Sequence, residues 1–338
     1  MRSKGRTIML ILTLGLFACV LVSFSIGQYP VSIKAVIGII CQKFGIPIKT
    51  FWSDAMEAAV WNIRLPRVLL SLMVGMALSA AGSAYQGVFQ NPMASPDILG
   101  ASAGAGFGAA LAILLGASSS VIIFGAFAFG MITVGLVFLV SRYAKGDRIL
   151  SLILSGMMIS TLFQSGTSYL KLVADPSNHL PQITYWLMGS LSGAKWSDVG
   201  FAVIPMVIGF TPLFLLRWKM NVITMGDDEA RTMGVHPARV RLLVVISSTL
   251  LTASAVAVSG IIGWVGLVMP HIMRRIAGND YRCLLPASML GGGIFLLVVD
   301  NISRSVTASG IPIGILTSFV GAPLFLWMIT GKGAHYEH

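Results

Sequence analysis

Long apolar runs, separated by short polar segments, recur along the whole of this sequence. The stretch 149–170, for example, contains no charged side chain. A bilayer core about 30 Å thick is crossed by about 20 mostly apolar residues in a helix, and lipid-exposed backbone must satisfy its own hydrogen bonds. Only 10% of the 338 residues are charged, against about a quarter in soluble proteins. We therefore predict an all-α, polytopic membrane protein.

The apolar runs predict ten membrane spans. Their borders are taken from Pro, Gly and charged residues, which end helices or mark the membrane edge. The spans are placed at 7–27, 65–89, 98–116, 119–141, 149–170, 198–216, 242–260, 262–276, 284–300 and 312–330.

The first run has two interpretations. It follows the basic segment MRSKGR, as a secretory signal would, and LFAC (16–19) has the form of a lipoprotein cleavage box. The apolar residues nevertheless continue through VLVSFSIG to Gly27, beyond the length of a signal h-region. We interpret the run as a retained span, with a cleaved signal as the alternative.

The basic residues indicate the orientation of the spans. Most of the 23 Lys and Arg residues fall in segments on the same side as the N-terminus. By the positive-inside rule this side is cytoplasmic, and so are both termini. The net charge of +11 is thus explained by topology. Because the basic residues are scattered among loops without a single patch, no nucleic-acid partner is predicted.

Cysteine and histidine give no reason to predict a metal site. Cys19, Cys41 and Cys283 form no CxxC motif, so neither a disulfide nor a zinc site is expected. His271 stands beside Pro270 and is interpreted as a structural residue rather than a ligand.

The segment 28–61 is too interrupted by Pro and Gly for a span and too apolar for a free loop. We expect it to lie along the outer interface, with Trp52 and Trp61 at the level of the lipid headgroups.

The stretch NPMASPDILG (91–100) interrupts two apolar runs and is predicted to be a cytoplasmic turn between spans two and three. A tight helical hairpin is the simpler interpretation. The next residues place Gly100, Gly104 and Gly108 four apart, on one helical face. This spacing lets another backbone approach closely. A short third helix held deep in the bundle is therefore predicted.

Four motifs occur in the order typical of one family. They are RLPRVLLSLMVGMALSAAGSAYQGVFQNPMASPDILGASAGAGFG (64–108), GDDEARTMGVHPARVR (226–241), the block from GIIGWVGLVMPHIMRR to DNISR (260–304), and IPIGILTSFVGAPLF (311–325). With these motifs the chain resembles the FecCD-type permeases, the membrane subunits of ABC importers for iron-siderophores, haem and cobalamin. The resemblance implies a single permease domain with the type II importer fold in a prokaryotic inner membrane. One departure is Ile311, where the family commonly has an acidic residue.

The loop 217–241 is predicted to hold a short helix at 227–233, since acidic residues favour a helix N-terminus and Gly234 suits its end. On the residues alone, a solvated connector is also possible. The resemblance implies that this loop forms a coupling helix for the ATPase. The residues that it assigns to this contact are Asp227, Asp228, Glu229, Ala230, Gly234 and His236.

The resemblance assigns two further sites. Arg64, Arg67 and Arg304 are implied to dock a substrate-binding protein, although arginines at span ends also commonly reach for lipid phosphates. Asn91, Pro92 and Met93 match a cytoplasmic gate, and residues 148–151 match a second gate loop more loosely.

The predicted function is that of a transport subunit and not of an enzyme. The sequence contains no GxxxxGK[ST] motif and therefore no P-loop of its own. The resemblance implies a homodimer in the lipid bilayer, two ATPase subunits that bind the ATP, and an extracytoplasmic binding protein; no cofactor is expected. Iron-siderophore is the expected cargo, with haem, cobalamin or an oxyanion such as molybdate left open. The alternative is an ion-coupled secondary carrier, which usually needs an intramembrane ionisable group.

Overall fold

A computed structural model describes residues 2–27, 29, 31–144, 148–306 and 310–330. Those residues form α-helices and no β-strand. The helices are α1 (Arg2–Ser25), α2 (Ile33–Lys43), α3 (Asp54–Ala58), α4 (Leu65–Val88), α5 (Ala101–Leu114), α6 (Ser119–Tyr143), α7 (Arg148–Val173), α8 (His179–Leu187), α9 (Trp196–Ile223), α10 (Asp227–Thr232), α11 (Pro237–Ser259), α12 (Val265–Ala277), α13 (Tyr281–Val306) and α14 (Ile313–Thr330).

Seven helical stretches in the described part of the chain are long and apolar enough to cross a membrane. They correspond to α1, the continuous helix Asp54–Val88, α6, α7, α9, α11 and α13. The predicted spans 98–116, 262–276 and 312–330 coincide with the shorter helices α5, α12 and α14, of 14, 13 and 18 residues. The prediction of an all-α membrane protein is confirmed, while the number of crossings stays a prediction.

Helix α4 forms the centre of the bundle and packs against α9, α11, α12 and α13. Small residues make this possible. A Cβ atom added to Gly82 would overlap the main chain of Gly266 in α12, and one added to Gly75 would lie 2.8 Å from the carbonyl carbon of Gly292 in α13. In the outer helices α1 and α7, only 11% and 17% of the apolar window is buried within the chain.

Two sets of elements mark the two ends of the bundle. The α10 end holds α10, the turn 89–100 and the start of α11; it corresponds to the predicted cytoplasmic side. The α8 end holds α2, α8, the end of α1 and the end of α13.

Several helices extend beyond the predicted borders. The helix of span two begins at Asp54, because the π-helical segment Ala59–Arg64 joins α3 to α4 without a break. The connection after α9 is 224–236 rather than 217–241, since α9 continues to Ile223 and α11 begins at Pro237. Residues 148–151 form the first turn of α7 and not a loop.

The described part of the segment 28–61 contains more helix than its Pro and Gly content suggested. Helix α2 has 11 residues, and the Ser32 hydroxyl accepts a hydrogen bond from the Ala35 amide at its start. Its buried face includes Val36 and Ile39, which join a small core with residues of α1 and α4. Trp61 lies 5.4 Å from Trp196, ring centroid to centroid.

Candidate functional site

The connection 224–236 at the α10 end carries the predicted coupling residues. Within it, Ala230 is fully buried and packs in the main core, whereas Asp228 exposes 90% of its side chain. Glu229 is also exposed. The helix α10 is thus fixed to the bundle on one side and presents an acidic surface on the other.

Gly234 and His236 complete this connection. Gly234 follows the end of α10 with a φ of +74°, which L-residues rarely adopt, and its amide donates to the Arg231 carbonyl at 3.0 Å. His236 is exposed and precedes α11 as its N-cap residue. The backbone turn at Gly234 therefore sets the angle between α10 and α11.

Asp227, the first residue of α10, is bound by Arg241 of α11. The guanidinium donates two hydrogen bonds to the carboxylate, from Nη1 to Oδ2 at 2.7 Å and from Nη2 to Oδ1 at 2.5 Å. These hydrogen bonds hold the pKa of Asp227 below its usual range. A bidentate pair of this kind fixes orientation as well as distance.

The turn 89–100 connects α4 to α5 and holds the predicted gate residues. Asn91, Pro92 and Met93 are all exposed, and Met93 is 52% exposed. The Asn91 side-chain oxygen accepts a hydrogen bond from the Met93 amide at 2.9 Å. This Asx-type contact shapes the turn locally.

Asp97 closes the same turn by capping α5. Its carboxylate accepts a hydrogen bond from the Ser102 amide at 2.9 Å. Carboxylates are stabilising at a helix N-terminus, where amides lack intrahelical partners. Capping of α5 therefore explains the acidic residue Asp97 within NPMASPDILG (91–100).

The three predicted packing glycines lie on tightly packed faces of α5. An added Cβ at Gly104 would overlap the Thr133 hydroxyl and lie 2.6 Å from the Phe129 carbonyl oxygen. At Gly108 it would lie 2.8 Å from the Phe129 Cβ atom, and at Gly100 it would overlap the Ser160 hydroxyl. These glycines let α6 and α7 approach α5 closely.

At the α8 end, Asp300 of α13 is fully buried and lies between two arginines. Its Oδ1 is 2.8 Å from Nη2 of Arg67, and its Oδ2 is 3.1 Å from Nε of Arg304. The side chains of these arginines are only 13% and 9% exposed. Within the chain, Asp300 therefore engages both guanidinium groups.

Arg64 and Arg304 also hold the end of α1. Arg64 is 5% exposed and donates to the carbonyl oxygens of Phe24 and Tyr29. Arg304 donates to the carbonyls of Ser23 and Ile26, each at 3.3 Å. The predicted docking residues are thus structural within this chain, and their role in docking stays a prediction.

Within the described ranges, no group of three or more His, Cys, Asp and Glu side chains is placed to hold a metal ion. His271 is partly buried in α12, and its neighbours Arg274 and Arg275 are cationic. The residues present therefore offer no acidic or thiolate partner set for a cation there.

Sequence reasoning missed three residues that organise these sites: Arg241, Gln90 and Asp300. The Gln90 side-chain amide donates to the Ile223 carbonyl at 2.9 Å. Asp300 and Arg67 are 233 positions apart. A buried acid within an apolar run signals that a cationic partner exists, but not which one.

Taken together, the fold and these sites define a polytopic helical membrane protein with a short helix that exposes acidic side chains at one end and a buried arginine cluster at the other. The FecCD transport family model matches residues 15–331. The chain belongs to the FecCD transport family.

Individual relatives agree with this membership. The chain is 38% identical over 315 residues to the molybdate import system permease protein MolB of Haemophilus influenzae, with 93% of this chain and 92% of that protein covered. It is 39% identical over 276 residues to a probable iron chelatin transport system permease protein of Helicobacter pylori, with 82% and 83% covered.

A solved structure shares the fold over nearly the whole length. It is an inward-facing conformation of a candidate metal-chelate type ABC transporter, with a TM-score of 0.86 and 37% sequence identity. The match covers 96% of this chain and 99% of that chain. The prediction of an importer permease fold is thereby confirmed.

Proposed function

We propose that this chain is the membrane-spanning subunit of an ATP-driven importer. Two copies would form the pathway, two ATP-binding cassette subunits would bind at the α10 end, and an extracytoplasmic binding protein would dock at the α8 end. The observation that carries the proposal is α10, an exposed acidic helix anchored to the core by Ala230.

The exposed surface around α10 suits a protein partner. Met225 and Met233, which flank the helix, are 65% and 49% exposed. Beside them stand the exposed acids Asp228 and Glu229. Apolar side chains next to charges are typical of an interface with an apolar centre and a polar rim. Because the sequence has no P-loop, this partner would supply the ATP hydrolysis.

The buried carboxylate Asp300 argues against the alternative of an ion-coupled carrier. Such carriers use intramembrane ionisable groups that bind and release a proton or cation. Asp300 is instead paired with Arg67 and Arg304 and has no exposed surface. A carboxylate shared by two guanidinium groups is a poor site for a transported cation.

The arginine cluster supports docking of an acidic partner at the α8 end. Arg64, Arg67 and Arg304 outnumber Asp300, so the cluster keeps a net positive charge. Because the guanidinium groups are buried, this charge would act on a partner mainly through its electrostatic field and less through direct ion pairs. Fields of this kind accelerate encounter and weaken with salt.

The gate and the cargo complete the proposal. Asn91, Pro92 and Met93 form the exposed edge of the turn 89–100 and would close the pathway where two copies meet. The cargo is a metal chelate, iron-siderophore first and haem or cobalamin next. The name of the Helicobacter pylori relative supports an iron chelate. Because MolB is a molybdate permease, molybdate is the oxyanion against which uptake of the chelate should be compared.

The partner surface can be tested by reversing charges on α10. In the variant Asp228→Arg with Glu229→Arg, the purified chain should bind its cognate ATPase about tenfold more weakly or worse, since the charge that α10 presents to the partner would be reversed. The matched control is Asp175→Arg, an exposed acid near the α8 end. Equal loss of binding in both variants, or in neither, would contradict the assignment.

A further inference from the structure

Arg241 contacts two segments that are separate in sequence. Besides its bidentate pair with Asp227 of α10, its Nε donates to the Val88 carbonyl at the end of α4, at 3.4 Å. The last carbonyls of a helix lack intrahelical partners and favour a nearby cation. The side chain is 13% exposed, so it is enclosed by both segments. One guanidinium thus joins the start of α10 to the end of α4.

Gln90 makes a second connection in the same region. It has a φ of +48°, an uncommon value for a residue other than glycine. Its side-chain amide donates to the carbonyl of Ile223, the last residue of α9, at 2.9 Å. The turn that carries the predicted gate is therefore bonded to the residue after which the connection 224–236 begins.

A cavity lies between these segments. Its volume is about 630 Å³, and it is lined by Gln90, Ile149, Asp227, His236 and Arg241, among others. Gln90 of the turn 89–100 and Asp227 of α10 therefore border the same space. Helix α10 itself packs on α9 and α11.

We propose that Arg241 and Gln90 are positioning residues that transmit displacement of α10 to the gate turn 89–100. The inference rests on the proposed function. When a bound ATPase moves α10, the rigid Asp227–Arg241 pair carries the guanidinium with it, and the contact with Val88 shifts the end of α4. Gln90 holds the turn against the end of α9, so the displacement reaches Asn91, Pro92 and Met93.

The substitution Arg241→Lys tests whether transmission needs the shape of the guanidinium group or only its positive charge. A lysine keeps the positive charge but offers a point charge on a flexible stem, without the planar fork that binds a carboxylate at two points. Arg241→Lys is therefore expected to fold, yet to leave α10 loosely connected to α4. Gln90→Ala removes the second connection. The matched control is Arg282→Lys, the same change of side chain at an exposed position near the start of α13, outside α10 and the turn 89–100.

The assay follows the gate directly and does not depend on the cargo. Met93→Cys is placed in a chain whose three native cysteines are replaced by serine. The permease–ATPase complex is then treated with a bifunctional thiol reagent, with and without a non-hydrolysable ATP analogue. The measured quantity is the ratio of inter-copy cross-linking in the two states, together with ATP hydrolysis and the detergent unfolding midpoint.

The expected result is that Arg241→Lys and Gln90→Ala reduce the nucleotide-dependent change in cross-linking by about tenfold, a typical coupling between sites. ATP hydrolysis and the unfolding midpoint should stay near those of Arg282→Lys. If Arg241→Lys keeps the full nucleotide response, or loses it only in proportion to folded protein, the transmission role is overturned. If nucleotide fails to change cross-linking even without these substitutions, the proposed function itself is at fault.

Discussion

The buried pairing of Asp300 gives the most quantitative prediction. Asp300→Asn keeps the shape of the side chain and removes its charge, which leaves Arg67 and Arg304 without a counter-ion. The carboxylate oxygens lie 2.8 Å and 3.1 Å from the nitrogen atoms of these arginines, and Asp300 has no exposed surface. Breaking a buried pair by removing one partner costs about 3–5 kcal/mol. We expect the free energy of unfolding to fall by this amount.

The assay is equilibrium unfolding by sodium dodecyl sulfate in mixed micelles, followed by tryptophan fluorescence. The control is Asp228→Asn, because Asp228 is 90% exposed and its partner Arg231 is 65% exposed. Exposed pairs contribute about 0–1 kcal/mol. Free energies of unfolding of Asp300→Asn and Asp228→Asn that agree within about 1 kcal/mol would rule out a stabilising role of the buried pair, since the two acids would then contribute alike despite their opposite burial.

Three further outcomes are expected. Gly104→Val should destabilise the chain by about 1–3 kcal/mol or more, because the added side chain would overlap Thr133. Gly200→Val is the control, since a Cβ added there meets open space. Similar unfolding midpoints of the two variants in detergent would contradict the packing of α5 on α6. The lowered pKa of Asp227 means that its pair with Arg241 stabilises the folded state above the unfolded value of about 3.9 and loses this effect as the pH falls through the lower folded value. The difference in unfolding free energy between the unmodified chain and Asp227→Asn should therefore be constant from about pH 8 to 5 and shrink below about 4; a change between pH 8 and 5 would show that another group is involved. Gly234→Pro forbids the φ of +74° and removes an amide donor, so it should uncouple ATP hydrolysis from transport while the helices remain folded; normal coupling in reconstituted vesicles would exclude the connection 224–236 as the transmission element.

The apolar runs predicted the long helices well because a membrane span is a local property of composition and length. Helix α7, for example, contains the whole predicted span 149–170. The predicted span borders differ from the observed helix ends where a helix continues past a polar residue. Span two extends back to Asp54, because the π-helical segment 59–64 passes through Asn62 and Arg64 without a break.

The segment 28–61 and the arginine cluster show why other features were missed. Helix α2 is short, and its stability comes from the contact of Val36 and Ile39 with α1 and α4 rather than from its own sequence. Arg304 follows Asp300 by four residues in α13, a spacing that the sequence does show, whereas the second partner, Arg67, is set by the packing of α4 on α13, which no local pattern encodes. The Asp227–Arg241 pair likewise depends on the turn at Gly234, which brings α10 and α11 together.

In the proposed mechanism a separate ATPase, and not an ion gradient, energises transport. This mechanism can be tested by uptake of an iron-55 siderophore into vesicles that contain this chain with its cognate ATPase and binding protein. We expect uptake that requires ATP and both partners and that persists when ionophores collapse the proton and sodium gradients. Uptake by this chain alone, driven by an imposed ion gradient and independent of ATP, would contradict it.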